Sequence, residues 1–236
     1  MNKMDRKIKE LIGDYNSVVK VIDKDAKDSD DRSYGGMIRS VKGKLQEHIT
    51  EEIVKVAWED IGGCEDRINI NSKKQQIHIL KDYVKAIENN DIKKYILSNI
   101  DEYYYGLSVD KQVFIDGDMV IGIECKSYTE NAMIKRILVD FSLLKTIYPK
   151  LHCYLFQLES QLGGDYSDTN NRSLGSTSTH TLMSYFKDTK LNIITFLKGE
   201  RKVDRPIHKP GFFKPLKKNE IKKAITQIQN DLKQYL

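Results

Sequence analysis

Asp110, Glu124 and Lys126 are the residues whose types and spacing promise chemistry. The segment that carries them, SVDKQVFIDGDMVIGIECKSY from Ser108 to Tyr128, holds two apolar runs, Val113 to Ile115 and Met119 to Ile123. Asp116-Gly117-Asp118 separates them, and Asp-Gly between two such runs signals a β-hairpin. With the turn centred on Gly117, Asp110 falls opposite Glu124. Directly opposed residues share a face, with Cβ atoms roughly 4.5–5.5 Å apart. Lys126, two residues beyond Glu124, points to the same face. Two carboxylates that close repel unless a cation lies between them. A hard cation with oxygen ligands, such as Mg²⁺, satisfies both, and the Cys125 carbonyl offers a further oxygen. Such an ion polarises a phosphate and lowers the pKa of water. Lys126 can orient or deprotonate that water, or offset charge in the transition state. The chemistry expected is metal-dependent hydrolysis of a phosphodiester.

Other readings of these residues exist. Asp116 and Asp118 are also acidic, but they sit in the turn, six to eight residues from Glu124 along an extended strand of roughly 3.3 Å per residue. The turn explains them without chemistry. Glu124 and Lys126 on an exposed sheet face would be a plain ion pair. Val120 to Ile123, however, is apolar on both faces, as an interior strand is, and charges at the end of an interior strand need a reason.

The elements that must position these groups follow from periodicity. Met1 to about Asp23 reads as a helix with apolar residues at Ile8, Leu11, Ile12, Val18 and Val19. Asp23 to Gly36 reads as a polar loop, and Met37 to about Ile61 as a long helix ended by Gly62-Gly63. Arg67 to Ile79 is extended and Lys81 to about Tyr104 helical. The hairpin from Val109 to Tyr128 comes next, then an amphipathic helix from Asn131 to Ile147 closed by Pro149. Leu151 to Leu158 is a buried strand, and Leu191 to Leu197 a further one. Between them, Gly163 to Thr181 has almost no apolar residues and is long for a loop. The stretch Arg205 to Pro215 leads to a terminal helix from Asn219 to Leu236. The expected fold is α/β (mixed α+β), a central mixed sheet flanked by helices. The chain reads as a single domain over 1–236, with a core at about 37–200 and a helical C-terminal extension at about 205–236.

Composition narrows the classes. At 236 residues the chain can bury a core without staples. The three cysteines, Cys64, Cys125 and Cys153, are far apart and form no CxxC pair. That excludes a zinc ribbon or a disulfide framework and suits a reducing cytoplasm. The five histidines show no HxxxH or HExxH pattern. No apolar run suits a membrane span, and Met1 to Lys9 lacks the apolar stretch of a secretory signal. No glycine-rich phosphate loop is present, so no nucleotide cofactor is expected. The net charge of +5 permits nucleic acid without demanding it. Basic residues gather from Lys198 to Lys223, either as a solvated face or as a phosphate grip.

An Asp, a short interval and then Glu-x-Lys at the end of an apolar strand resembles the PD-(D/E)xK nuclease superfamily. Here the pieces are Asp110 and Glu124-Cys125-Lys126. The order helix (37–61), hairpin (109–128), helix (131–147), strand (151–158) is similar to that family's core, and the likeness spans about 120 residues. The family's proline before the first acid is replaced by Val109. The resemblance implies a restriction-endonuclease-like core, Mg²⁺ as cofactor, and Asp110, Glu124 and the Cys125 carbonyl as its ligands. It also implies a role for a glutamate on the helix before the sheet. Leu45, Ile49, Glu52 and Val56 form one stripe, so Glu52 either reaches the metal or sits at the stripe's margin in water, with Glu51 and Glu47 as alternatives.

At this length the resemblance is to type II restriction endonucleases, which act as homodimers on short sites in double-stranded DNA. The polar loop then acquires a reading role. Asn170, Asn171 and Arg172 suit bidentate contacts with base edges, and Ser173 suits phosphates; a plain surface loop is the alternative. Arg201, Lys202 and Arg205 would grip backbone phosphates. Two further functions fit the same residues: a structure-specific or repair nuclease of the superfamily, and a non-catalytic DNA-binding module.

Overall fold

The computed structural model describes residues 3–26, 31–164, 166 and 175–236. The side chains of 23–26 and 31–35 lie outside that description.

α1 (Lys3–Ala26) buries Ile8, Leu11, Tyr15, Val19 and Ile22, a stripe at three- and four-residue spacing. It lies along α2 (Asp31–Asp60), whose Leu45, Ile49, Ile53, Val56 and Ala57 are buried in the same core. Gly62, at φ 89°, ends α2 as a left-handed residue after a helix does. The helix begins well before Met37, so residues 31–36, expected in a polar loop, form its first turns. Gly35-Gly36 costs helix stability without ending it.

Two strands follow where one extended run was expected. β1 (Ile68–Asn71) and β2 (Gln75–His78) belong to different sheets, and Asn71 turns the chain by accepting from the Lys73 N–H at 3.0 Å. The single helix expected from Lys81 to Tyr104 is broken into α3 (Lys81–Ala86) and α4 (Asn90–Ser98). The break is at Asn89, whose side chain caps α4 by accepting from the N–H groups of Asp91 and Ile92. The Tyr-rich end of that stretch is β3 (Tyr104–Leu107), paired antiparallel with β2. Aromatic residues favour a pleated surface over a helix.

β4 (Lys111–Ile115) and β5 (Asp118–Thr129) form the expected hairpin. α5 (Asn131–Ile147), β6 (His152–Ser160), α6 (Thr177–Ser184), β7 (Asn192–Thr195) and α7 (Lys218–Leu232) complete the chain. α6 takes residues 177–181 out of the expected loop, because Ser176 caps it by accepting from the Thr179 N–H at 3.2 Å. The central sheet has the order β1-β4-β5-β6-β7, antiparallel as far as β5 and parallel from β5 to β7. This is the mixed sheet flanked by helices that the sequence implies. α1, α2 and α7 pack on one face around Trp58, Ile121, Ile123 and Phe156. α5 covers the other around Ile134, Ile137, Phe141 and Leu155. Gly122 lets it approach: a Cβ there would lie 2.8 Å from the Phe141 ring. Among the described residues no helix is long and apolar enough to cross a membrane.

Candidate active site

The hairpin places the acids by two features that compensate. Its turn has only two residues, Asp116 and Gly117, with Ile115 opposite Asp118. Both turn residues have positive φ, 52° and 93°, as a type I′ turn requires. Taken alone, that turn would put Asp110 opposite Ile123. A bulge corrects it: Phe114 pairs with Met119 and Val113 with Ile121, so Val120 has no partner on β4. From there the register runs through Lys111 opposite Ile123, which carries Asp110 to Glu124. The expected juxtaposition is present, through a turn one residue shorter and a bulge one residue longer.

At the open end of the hairpin the three groups meet. The Asp110 backbone N–H donates to Glu124 Oε2 at 3.4 Å. Lys126 Nζ lies 3.1 Å from Asp110 Oδ2 and 3.4 Å from Glu124 Oε1. It also donates to the Cys125 carbonyl at 3.1 Å, and the Cys125 N–H donates to Asp110 Oδ2 at 2.7 Å. Glu124 is buried, while Asp110 and Lys126 are each about one-third exposed. The site therefore opens to solvent through Asp110 and Lys126 and has Glu124 as its floor.

The electrostatics follow from that geometry. Burial pushes Glu124 up to about 8, helped by its hydrogen bond with Asp110 and that group's negative charge. Burial pushes Asp110 up as well, but the bond shared with Glu124, the Lys126 charge and the Cys125 N–H outweigh it and hold its pKa below the ordinary value. The pair is thus split, with Glu124 drawn toward its protonated form and Asp110 toward its ionised one. Burial opposes the Lys126 charge, yet the two carboxylates raise its pKa, so it stays an ammonium. The Cys125 thiol turns away to donate to Thr50 Oγ1 on α2 at 3.3 Å, and burial pushes its pKa well up. Only its backbone serves the site.

Of the helix glutamates, Glu47 faces this cluster. Burial and the Asp110 charge raise its pKa, and its carboxylate is 3.9 Å from Lys111. Glu51 is held by Lys55 at 2.7 Å and Lys111 at 2.9 Å. Glu52 is held by Lys7 at 3.3 Å and Lys55 at 3.5 Å, away from the cluster on the side toward α1. The stripe that singled out Glu52 is the buried stripe of α2, and the part of the helix that faces the site lies five residues earlier, at Glu47.

Asp116 serves the turn and pairs with Arg67 at 2.7 Å. Trp58 is a packing residue, its indole N–H donating to the Cys64 carbonyl at 2.8 Å. Asn170, Asn171, Arg172 and Ser173 lie outside the described residues. The ends of their segment are tied beside β6: the Ser176 N–H donates to the Leu162 carbonyl at 2.7 Å, and the Gly163 N–H to Glu200 at 2.8 Å. Arg201 is half-buried at the end of β6, while Lys202 and Arg205 are exposed, Arg205 beside Asp204 at 3.6 Å. Tyr128 was not singled out in the sequence; it lies two residues beyond Lys126, and the Arg201 guanidinium carbon is 3.7 Å from its ring centroid.

Two carboxylates and a carbonyl are an all-oxygen donor set of the kind Mg²⁺ or a similar hard ion takes, with its remaining positions left to water and phosphate. Among the described residues no group of three or more His, Cys, Asp and Glu side chains forms a closed metal cage; an open site of two acids is a different arrangement. Two desolvated acids that meet across the hairpin, beside a backbone carbonyl, favour a cation between them. No family model matches the chain. It is similar to the type II restriction enzyme DdeI of Desulfomicrobium norvegicum (strain DSM 1741 / NCIMB 8310), with 58% identity over 232 residues and 97% of each chain covered. Likeness of that degree over nearly the whole of both chains, on a mixed sheet with acids and a lysine at the end of its central strand, has one reading: the chain belongs to the type II restriction endonucleases, hydrolases that cut DNA at defined sequences.

Proposed function

We propose that this endonuclease works in the cytoplasm as a homodimer on a short site in double-stranded DNA, with Mg²⁺ held by Asp110, Glu124 and the Cys125 carbonyl. A divalent metal ion goes with membership of the family; the choice of Mg²⁺ rests on the all-oxygen donor set. The observation that carries the reading is the meeting of Asp110, Glu124 and Lys126, with Lys126 within 3.4 Å of both acids.

When bound, Mg²⁺ supplies positive charge that polarises the phosphate and makes a nearby water more acidic. The chain's residues do the rest. Asp110 is oriented by the Cys125 N–H, and Glu124 by its burial and the Asp110 N–H. Lys126 remains charged and is tethered to the Cys125 carbonyl, so it can orient the attacking water and offset the charge that grows on the phosphate. Glu47 is the helix carboxylate that faces the cluster. Arg201, Lys202 and Arg205 are assigned to backbone phosphates, and Asn170, Asn171, Arg172 and Ser173 to the DNA site itself. What supports the latter is that both ends of their segment are tied at the end of β6, next to the strand that carries Glu124 and Lys126.

The homodimer is supported by an unusual surface. Leu80, Tyr83, Ile92, Tyr95, Leu97, Tyr104 and Tyr105 are all between 47% and 71% exposed. Tyr104 and Tyr105 point to opposite faces of β3, so one of them joins the side chains of α3 and α4 in an apolar patch of the kind a second copy covers. Residues 80–105 hold four lysines against five carboxylates, an unsuitable charge for a DNA face on a chain of +5. The free thiols of Cys125 and Cys153 in the core fit a reducing compartment.

The test is digestion of a long natural DNA by the purified protein with Mg²⁺, beside Glu124→Ala and Lys126→Ala. Discrete bands from the wild type and none from either variant are expected. Cutting that survives both substitutions would move the active site elsewhere, and a metal-dependent smear would favour a nuclease without a defined site.

A further inference from the structure

Arg201 is held in a way that sets it apart. Arg6, Arg67, Arg136 and Arg205 each pair with a carboxylate. Among the described residues no carboxylate pairs with Arg201. Its guanidinium instead lies 3.7 Å from the Tyr128 ring centroid and donates to the Gln161 side-chain carbonyl. Its own N–H donates to the Ser160 carbonyl at 2.7 Å, fixing its backbone to the end of β6. Stacking on an aromatic face and one amide contact hold a guanidinium in place without neutralising it. Gln161 takes one of five donors, so a fork of N–H groups remains for an anion. Nearby, Glu159 is buried and is bound by Lys214 at 2.8 Å, so that acid is already compensated and does not claim Arg201.

The position is as telling as the chemistry. Tyr128 lies on β5 two residues beyond Lys126 and so on the same face of the strand. Two residues of strand are roughly 7 Å, the order of one nucleotide step along a DNA strand. We propose that Tyr128 is a positioning residue: it holds Arg201 as a fixed phosphate clamp one nucleotide away from the phosphate that is cut at Lys126. The assignment rests on the DNA-cleaving reading of Asp110, Glu124 and Lys126 and adds to it the source of register between clamp and cut. A lysine could not replace this arginine, since it lacks the planar fork that stacks and binds bidentately at once.

Tyr128→Ala, Tyr128→Phe, Arg201→Ala, Arg201→Lys and the double alanine variant, each in the full-length chain, test it. Affinity for a fluorescent random-sequence duplex is measured across a salt series in metal-free buffer, and single-turnover cleavage of plasmid DNA with Mg²⁺. Arg201→Ala should flatten the dependence of log affinity on log salt by about one phosphate contact. Tyr128→Ala should move it the same way and slow cleavage by ten-fold or more. Tyr128→Phe, which keeps the ring, should match the wild type, and Arg201→Lys should not. The double variant should be no worse than the weaker single one. A Tyr128→Ala protein with unchanged salt slope and cleavage, or losses that multiply in the double variant, overturns the clamp. That result, with Glu124→Ala still inactive, leaves the nuclease reading intact; cleavage by Glu124→Ala would instead sink the reading on which the clamp rests.

Discussion

The Asp110 N–H reaches the Glu124 carboxylate at 3.4 Å across a hairpin whose register there depends on the unpaired Val120. A one-residue slip in a strand moves every side chain to the opposite face. Without the bulge, the Asp-Gly turn would set Glu124 against Val109 and split the acids between the two faces of the sheet. Deletion of Gln112 on β4 forces such a slip, setting Asp110 against Ile123, and should therefore abolish DNA cleavage. Val120→Ala keeps the residue count, so it should cost stability by roughly 1–3 kcal/mol through lost burial yet retain cleavage within a few-fold. Plasmid digestion and thermal melts of both variants check this. Cleavage by a folded deletion variant would mean that the Asp110–Glu124 register does not set the site.

In the proposed metal site, proton and metal compete for the same pair of acids. Glu124 rises from an ordinary 4.5 to about 8 because it is buried beside Asp110. Between those values the folded, metal-free protein holds a proton there that the unfolded chain has lost. Its stability should therefore fall as pH rises through about 8, and Glu124→Gln should remove that fall. With the pair as the proposed metal ligands, Mg²⁺ affinity should climb over the same window, with about one proton released per ion at neutral pH. Calorimetry in two buffers of different ionisation heat counts that proton. Affinity independent of pH from 6 to 8 would show that Glu124 is not a ligand.

Glu47 and Glu52 lie on one helix, five residues apart, and should behave differently. Glu47 faces Asp110 and Lys126, whereas Glu52 is occupied by Lys7 and Lys55. Glu47→Gln should slow single-turnover cleavage by roughly 10–100-fold, as loss of a helper in acid–base work does. Glu52→Gln should stay within about two-fold and lose at most ~1 kcal/mol of stability with its surface pairs. The opposite ranking would restore Glu52 as the helix carboxylate of the site.

These two residues also mark where the sequence stops being informative. A stripe at helical spacing tells which side of α2 is buried, and Leu45, Ile49 and Val56 are indeed buried. It does not tell which turn of a thirty-residue helix overhangs the site, because that depends on where the sheet ends beneath it. The hairpin was legible because Asp-Gly between apolar runs is local chemistry. Its bulge was not, because nothing in Met119-Val120-Ile121 marks which residue goes unpaired. The long buried elements α5 and β6 announce themselves by apolar pattern. The stretch 81–107 does not, because its break is a side-chain cap at Asn89 and its last strand is stabilised by pairing with β2, a contact distant in sequence. Tyr128 was hidden for a similar reason: its value comes from Arg201, brought against it only in the fold.

The exposed side chains of 80–105 give the proposed dimer a location that a single substitution can test. Tyr83 lies beside α3's inward Val84, and Ile92 and Tyr95 share the outer side of α4, whose Ile96 turns inward. A charge placed among such residues is cheap in a solvated monomer and costly in a closed interface, where it is desolvated without a partner. Tyr95→Lys should therefore leave the melting temperature of dilute protein nearly unchanged while shifting sedimentation from dimer toward monomer by ten-fold or more in dissociation constant. Two cuts made by one dimer open a supercoiled plasmid directly to the linear form; a monomer nicks one strand at a time. The variant should thus accumulate nicked circles that the wild type does not, and raising its concentration should restore linear product. If Tyr95→Lys and Tyr83→Lys both remain dimeric, the subunits meet elsewhere; if they lose duplex affinity as dimers, this surface touches DNA instead.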